Sequence, residues 1–143
     1  METSRLMNNR RSLIIGIKST KLSLREKNFL RKFKPWGVIL FTRNIKDINQ
    51  AKQLTTSIRK IFNDNKYPIL IDQEGGRVNR LKNIISFEKL RYDFFGKKFI
   101  KKSKEFNFFY KLFIDKTSYL LKLIGVNINT CPVLDLRRKG SSS

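Results

Sequence analysis

Residues 69–81 read ILIDQEGGRVNRL, and the fold of the chain can be inferred outward from this stretch. Ile69, Leu70 and Ile71 form an apolar run that predicts a strand buried on both faces, and Asp72 ends the run abruptly. Strands of this kind are typical of parallel sheets, whose ligand sites lie just past the carboxyl ends of the strands. The polar residues after Ile71 therefore occupy the position where an α/β protein builds a ligand site.

On either side of this strand, apolar runs alternate with helix signals. Ser23 followed by Glu26 matches a capping box, and Pro35 prevents that helix from continuing. Asp47 suits the N-cap of a second helix, whose apolar residues recur every three or four positions. Gly125 suits the C-terminal cap of a long later helix. The predicted elements are a buried strand at 12–17, a helix at 24–33, a strand at 37–41, a helix at 48–62, a strand at 69–71, a loop with a short helix within 83–103, a helix from 104 to 124 and a strand at 126–129.

Four strands that alternate with helices imply parallel βα units with right-handed crossovers. A complete (β/α)₈ barrel typically needs about 250 residues, and this chain has 143. We therefore expect an α/β fold that is the truncated first half of a TIM barrel. The expected organisation is a basic N-terminal segment at 1–11, the partial barrel at 12–136 and a disordered or artificial tail at 137–143.

The composition describes a folding chain with a strong positive charge. Hydrophobic residues make up 40% of the chain, which is too much for a disordered protein. A total of 32 Lys and Arg against 11 Asp and Glu gives a net charge of +21. Such a charge favours anionic partners such as nucleic acid or acidic lipid. Because the basic residues are spread along the whole chain and no recognisable binding module accompanies them, compositional drift is favoured over a dedicated nucleic-acid surface.

Cysteine and histidine usage excludes several classes of site. Cys131 is the single cysteine and the chain contains no His, so neither an intrachain disulfide nor a cysteine zinc site can be proposed.

The apolar runs are too short to cross a membrane or to form the core of a signal peptide. We expect a cytoplasmic protein that requires no metal and no organic cofactor.

The loop after the third strand brings together two carboxylates and two guanidinium groups, those of Asp72, Glu74, Arg77 and Arg80. Such groups can bind neutral polyols through paired hydrogen bonds, and the two glycines between them let the backbone turn sharply beside a ligand. The same residues also suit an ordinary charged loop with local salt bridges. The residues alone do not decide between these two interpretations.

Three blocks in the same order resemble the N-terminal half of family 3 glycoside hydrolases: GVILFTRN at 37–44, ILIDQEGGRVNRL at 69–81 and GVNINTCPVLDL at 125–136. The branch most resembled comprises the β-N-acetylglucosaminidases (β-N-acetylhexosaminidases) that trim muropeptides in cell-wall recycling. The resemblance implies a TIM barrel that hydrolyses terminal β-linked N-acetylglucosamine with retention, through a covalent glycosyl-enzyme intermediate.

The resemblance also assigns roles to the residues after the third strand. Asp72 matches an aspartate that hydrogen-bonds hydroxyl groups of the bound sugar, and Arg80 matches an arginine used for substrate binding. The residues expected to shape the loop between them are Glu74, Gly75, Gly76 and Arg77.

The catalytic groups that the resemblance implies are a nucleophilic Asp on a later strand and a His acid/base on a mobile loop, and in family order both follow Leu136. We therefore expect no catalytic residue in this chain and no hydrolysis by the chain alone. The expected ligand is a β-N-acetylglucosaminide, bound once the barrel is completed, and open strand edges predict self-association. The rival hypothesis is a basic module that binds nucleic acid or an anionic surface through a decayed barrel half.

The remaining features favour structural roles. Arg43 and Asn44 are expected to order the loop after the second strand. The aromatic residues from Phe106 to Phe113 follow helical spacing, which favours a core-facing helix over a base-stacking platform. Asp135 is expected to order a loop and not to bind the ligand.

Overall fold

The computed structural model of the chain describes residues 9–101 and 105–132. Within this part, strands and helices alternate, except that the last two helices both lie between the third and fourth strands. The strands are β1 (Arg11–Gly16), β2 (Pro35–Leu40), β3 (Ile69–Ile71) and β4 (Ile128–Asn129), and the helices are α1 (Leu24–Phe33), α2 (Ile48–Phe62), α3 (Tyr92–Ile100) and α4 (Phe106–Leu123).

The strands of the described residues form one parallel sheet in the order β1-β2-β3-β4. Leu40 of β2 pairs with Ile71 of β3, and Ile71 pairs in turn with Asn129 of β4. This register places the carboxyl ends of the strands side by side at one edge of the sheet. The predicted α/β class and the four parallel strands expected of the first half of a TIM barrel are confirmed.

The helices α1 and α2 begin at side-chain caps that the sequence predicts. Ser23 Oγ accepts a hydrogen bond from the backbone N–H of Glu26, and the Glu26 carboxylate accepts one from the N–H of Ser23 at 2.9 Å. At the end of α1, Lys34 adopts a left-handed conformation with φ 45° directly before β2. Asp47 caps α2 by accepting from the N–H of Gln50 at 2.8 Å. Both predicted helices are confirmed. Their starts could be predicted because each cap acts within one turn of the helix.

The core lies between the central strands and the helices. Leu40, Ile71 and Ile58 are fully buried, and β3 is buried on both faces. Tyr67 is also buried, and its hydroxyl donates to the carbonyl of Pro35 at 2.8 Å, so the amino ends of β2 and β3 are tied together.

The strand β1 differs from its prediction as a buried strand. It pairs with β2 on one side only within the described residues. Leu13 and Ile14 are 42% and 46% exposed as a result. The apolar run 12–17 correctly predicted a strand but could not show that this strand lies at an edge of the sheet, because an edge and a centre have the same local sequence.

The connection between β3 and β4 contains the short helix that its sequence predicted. The poorly patterned stretch 83–103 contains α3, a helix of nine residues. In α4, Phe113 is buried, whereas Phe109 and Tyr110 are exposed. The aromatic residues of α4 thus face the core only in part, and the prediction of a core-facing helix holds for one side of it.

The end of α4 has the predicted glycine cap. Gly125 has φ +81°, and its N–H donates to the carbonyl of Lys122. The N–H of Val126 donates to the carbonyl of Leu121 at 2.8 Å. This pair of bonds is a Schellman motif, which turns the chain into β4.

Some sequence predictions lie outside the described residues, namely those on 1–8, on Asp135 and on the tail 137–143. Arg11, which the sequence placed in the N-terminal segment, is the first residue of β1. In the ranges 9–101 and 105–132, no helix combines the length and the apolar character needed to cross a membrane.

Candidate functional site

The carboxyl edge of the sheet brings Asp72 and Arg80 together with residues that follow both neighbouring strands. Asp72 Oδ2 lies 3.4 Å from Nη2 of Arg80. Cys131 Sγ, just after β4, donates to Asp72 Oδ1 at 3.7 Å. The Arg80 guanidinium lies over the ring of Phe41, which follows β2, at 5.4 Å from the ring centroid. The two predicted sugar-binding residues are therefore neighbours at the predicted edge.

Asp72 and Arg80 remain accessible in this arrangement. Their side chains are 28% and 26% exposed, and their ion pair is long. A partly exposed pair of this kind contributes at most about 1 kcal/mol to stability. The ion pair therefore contributes little to the stability of the fold. Each of the two side chains can give up this contact and bind a ligand.

Glu74 extends the acidic side of this edge. Burial raises the pKa of the Glu74 carboxyl, and the negative charge of Asp72 together with a hydrogen bond between the two side chains raises it further. The positive charge of Arg80 opposes this rise. Two neighbouring carboxyl groups therefore favour a state in which Glu74 keeps its proton more readily than a free glutamate does.

A tight backbone turn connects Glu74 to Arg80. The N–H groups of Glu74 and Gly75 both donate to the carbonyl of Val78, at 3.1 and 3.2 Å, and the N–H of Val78 donates back to Gly75. Gly75 has φ +87°, and a Cβ atom there would overlap the carbonyl oxygen of Leu90. Glycine is required at this position because both its conformation and its surroundings exclude a side chain.

The two other residues that the resemblance assigned to loop shaping lie on the outer side of this turn. Gly76 has φ +58°, and its N–H donates to the carbonyl of Phe87 at 3.0 Å. Arg77 is exposed and lines a hollow of about 210 Å³ together with Glu74 and Arg91. The loop is therefore closed by backbone bonds, with charged side chains around it.

Gln73 is a site residue that the sequence analysis missed. It is only 2% exposed, and its Oε1 accepts hydrogen bonds from the backbone N–H groups of Arg80 at 2.8 Å and Leu81 at 3.0 Å. The sequence signal for a buried Gln73 was its position in the chain. Side chains alternate in direction along an extended chain, so Gln73 points to the side opposite to Asp72. A glutamine that must point inward after a buried strand needs polar partners.

Asn44 orders the neighbouring loop, as predicted. It is fully buried, its Nδ2 donates to the carbonyls of Ile17 and Ser19, and its Oδ1 accepts from the N–H of Phe41 at 2.9 Å. Arg43 Nε also donates to the Ile17 carbonyl, at 3.1 Å. These bonds join the segments that follow β1 and β2 at the carboxyl edge of the sheet.

Two buried donors at this edge, Gln73 Nε2 and Arg80 Nε, have no hydrogen-bond partner among the described residues. Both atoms are buried, so neither faces the accessible part of the site. The accessible groups at this edge are the Asp72 carboxylate and the Arg80 guanidinium, an acceptor and a donor that together suit a neutral polar ligand. Among residues 9–101 and 105–132, no group of three or more potential metal ligands occurs.

Curated relatives of the chain are β-hexosaminidases. The β-hexosaminidase of Xanthomonas oryzae pv. oryzae is 31% identical over 129 residues, which cover 88% of this chain and 37% of that protein. The β-hexosaminidase of Psychromonas ingrahamii is 40% identical over 73 residues, which cover 51% of this chain and 21% of that protein. The predicted resemblance is confirmed: the chain is similar to a segment of the β-hexosaminidases. No family model matches the chain.

Two solved structures show partial similarity. The structure of NagZ from Neisseria gonorrhoeae in complex with N-trifluoroacetyl-D-glucosamine is 35% identical and matches 54% of this chain and 22% of that one, with a TM-score of 0.47. A glycoside hydrolase family 3 β-N-acetylglucosaminidase from Paenibacillus sp. is 23% identical and matches 61% of this chain and 16% of that one, also with a TM-score of 0.47. The chain therefore spans well under half the length of these proteins and of the curated relatives.

Proposed function

We propose that this chain supplies part of the sugar-binding wall of a retaining exo-β-N-acetylglucosaminidase, which hydrolyses terminal β-linked N-acetylglucosamine. The observation that carries the proposal is the placement of Asp72 and Arg80, 3.4 Å apart and accessible, at the carboxyl edge of the sheet. The β-hexosaminidase relatives support the choice of sugar. They do not favour the rival hypothesis of a module that binds nucleic acid or an anionic surface.

The proposed roles follow from the chemistry of the two side chains. Asp72 accepts hydrogen bonds from hydroxyl groups of the sugar, because an ionised carboxylate is an acceptor only. Arg80 donates to sugar oxygens from the other side. Their mutual ion pair is weak enough for a sugar to replace part of it. Glu74, Gly75, Gly76 and Arg77 keep the loop in the shape that this binding needs.

Catalysis needs groups that this chain does not contain. Retaining glycosidases use two groups about 5 to 5.5 Å apart across the glycosidic bond, one as nucleophile and one as acid/base. The chain has no His, and the resemblance places both catalytic groups after Leu136. We therefore propose that this chain alone does not hydrolyse the sugar and that four further βα units complete the site. We also propose that the complete enzyme serves muropeptide recycling in the cytoplasm.

A chimera tests the proposed function. Residues 9–132 replace the aligned segment of the Xanthomonas oryzae β-hexosaminidase, and hydrolysis of a chromogenic β-N-acetylglucosaminide is measured. We expect turnover, and we expect Asp72→Ala in the chimera to lower kcat/KM by the equivalent of about 1 to 3 kcal/mol, because buried sugar hydroxyls lose their acceptor.

The control for this experiment is Asp115→Ala, which removes an exposed carboxylate on α4, far along the chain from the site loop. It should leave kcat/KM unchanged. If Asp72→Ala lowers the melting temperature and leaves the kinetics of the folded chimera unchanged, Asp72 holds the loop and the proposed sugar-binding role is wrong.

Self-association is a further part of the proposal. It is supported by Leu13 and Ile14, which are exposed on β1 at the edge of the described sheet. Size-exclusion chromatography with light scattering on the 143-residue chain should show species larger than a monomer. Ile14→Lys should shift the distribution towards the monomer, since a charge on an edge strand opposes pairing. A sharp monomer peak from the unsubstituted chain would contradict this expectation.

A further inference from the structure

Gln73 connects the end of β3 to the backbone of Arg80. Its buried side-chain carbonyl accepts from the N–H groups of Arg80 and Leu81 at 2.8 and 3.0 Å. These two N–H groups lie seven and eight residues further along the chain. One amide oxygen therefore closes the whole loop and fixes where the main chain of Arg80 lies.

Gln73 is itself held from β4. Its backbone N–H donates to Oδ1 of Asn129 at 3.0 Å, and Nδ2 of Asn129 donates to the Gln73 carbonyl at 3.3 Å. Asn129 pairs with Ile71 in the sheet. A continuous path of hydrogen bonds thus runs from the paired strands through Gln73 to Arg80.

The side chains of Asp72 and Arg80 cannot fix their own arrangement. Their ion pair is 3.4 Å long and partly exposed to solvent, so the pair is weakly bound. The hydrogen bonds of Gln73 are buried, and a buried N–H that loses its acceptor is strongly disfavoured. The geometry of the site is therefore determined by Gln73 more than by the charged residues themselves.

We propose that Gln73 is the positioning residue of this site, which holds Arg80 opposite Asp72 and thereby sets how the guanidinium group meets a bound sugar. The positioning of Arg80 stands on the contacts above, whereas its consequence for the sugar rests on the proposed function. The two parts are separated in the experiment below.

Glu74 reports on the position of Arg80. Burial and Asp72 raise the pKa of its carboxyl, and the Arg80 guanidinium opposes that rise. If Arg80 moves away, the opposition is lost and the pKa of Glu74 rises further. The other charged groups that line the hollow beside Glu74 are Arg77, Arg91 and Asp93, and none of them is bonded to the Gln73 side chain in the described structure.

The experiment follows the Glu74 side-chain carboxyl by ¹³C NMR during a pH titration of the 143-residue chain. Gln73→Met keeps the length of the side chain and removes the acceptor. We expect it to raise the pKa of Glu74, in the same direction as Arg80→Gln, which removes the guanidinium outright. An unchanged Glu74 titration in a folded Gln73→Met variant would overturn the inference.

Asn79→Ala is the matched control, because it removes bonds from the same loop without touching Arg80. Asn79 is buried, its Oδ1 accepts from the N–H of Leu81, and its Nδ2 donates to the Ile85 carbonyl, both at 3.2 Å. We expect a lower melting temperature and an unchanged Glu74 titration. If Asn79→Ala shifts the titration as much as Gln73→Met does, Gln73 has only a structural role.

Gln73→Asn takes the place of Gln73→Met if the latter shows no cooperative melting transition, since it keeps an amide but is one methylene too short to reach Arg80. The same criteria apply to it. Titration of the chimera described above with N-acetylglucosamine forms the second arm, in which the loss of Gln73 should weaken binding roughly tenfold, the factor equivalent to about 1.4 kcal/mol.

The two arms distinguish the possible failures. If the unsubstituted chimera binds no N-acetylglucosamine but the Glu74 titration responds as expected, the positioning of Arg80 is supported and the proposed function is not. If the chimera binds the sugar and its Gln73 variants bind it equally well, the inference is overturned while the proposed function stands.

Discussion

The connections on the two sides of β3 are specified in different ways. On the N-terminal side, α1 and α2 each begin with a side-chain cap, provided by Ser23 and Asp47. On the C-terminal side, Arg91 and Glu105 occupy the N-cap positions of α3 and α4 and make no capping bond with their side chains. The first region is therefore determined by local signals, and the second depends on packing between distant residues.

Aromatic contacts supply that packing. The ring of Phe113 lies 5.3 Å from those of Phe87 and Phe95, centroid to centroid, and Phe95 also meets Tyr110 at 5.2 Å. Beside these rings an apolar groove of about 540 Å³ runs between residues 85–90, α3 and α4. The region after β3 is therefore stabilised by a cluster of aromatic rings beside an open groove. The region before β3 is stabilised by capped helices.

The largest effect should come from a glycine of the site loop. Gly75→Ala places a side chain at φ +87° and against the carbonyl of Leu90, so we expect a loss of about 3 kcal/mol in the free energy of unfolding. Gly96→Ala in α3 is the matched control, because a Cβ there meets nothing within 4 Å. It should stabilise the chain by about 0.5 to 1 kcal/mol, and urea titrations measure both. Equal effects would show that the loop is not rigid.

Removal of the Asn44 side chain should have the next largest effect. Asn44→Ala removes the acceptor of the Phe41 N–H and the donor to the carbonyls of Ile17 and Ser19, so we expect a loss of about 2 kcal/mol. Phe108→Ala in α4 should change stability by less than about 0.5 kcal/mol, because Phe108 is 66% exposed. Thermal unfolding of the two variants tests the contrast. A larger loss from Phe108→Ala would mean that the aromatic face of α4 is covered in solution.

The same contrast explains how much could be predicted from the sequence. The capping box at Ser23 and the glycine cap at Gly125 act within a few residues, so sequence spacing was sufficient to locate α1 and the end of α4. The approximate position of the site also followed from sequence, because Asp72 ends an apolar run. The bond that holds Gln73 from β4 could not be predicted, because Asn129 lies 56 residues away in the chain. The exposure of Leu13 escaped prediction for a similar reason, since it depends on which strands are neighbours.

A smaller effect is expected at the helix starts. Ser23→Ala should lower the free energy of unfolding by about 1 kcal/mol, because the N–H of Glu26 loses its acceptor at the start of α1. Arg91→Ala should leave it nearly unchanged, since the Arg91 side chain makes no capping bond and only an exposed ion pair with Asp93. Chemical denaturation provides the comparison. Similar losses in both variants would show that α3 is also fixed at its first turn.

The smallest effect concerns pH and has opposite signs in the two regions. Burial raises the pKa of Glu26, but hydrogen bonds from Lys18 and Ser23 outweigh it and hold the pKa below its usual value. Glu26 therefore contributes stability that is present above its unfolded pKa and is lost as the pH falls through the folded pKa. Burial and Asp72 raise the pKa of Glu74. Glu74 contributes stability that is present below its unfolded pKa and is lost as the pH rises through the folded pKa.

Two isosteric variants separate these contributions. Near neutral pH, Glu26→Gln should be less stable than the unsubstituted chain, and the difference should disappear in acid, where both glutamates are protonated. Glu74→Gln should be more stable than the unsubstituted chain near neutral pH, because an amide removes the disfavoured charge beside Asp72, and this gain should also disappear in acid. Both differences should be smaller than that of Ser23→Ala. Melting temperatures measured between pH 3 and pH 8 test the signs. If Glu74→Gln were less stable than the unsubstituted chain near neutral pH, the fold would stabilise the Glu74 carboxylate. Arg80 would then have to bind the two carboxylates more tightly than its 3.4 Å ion pair with Asp72 indicates.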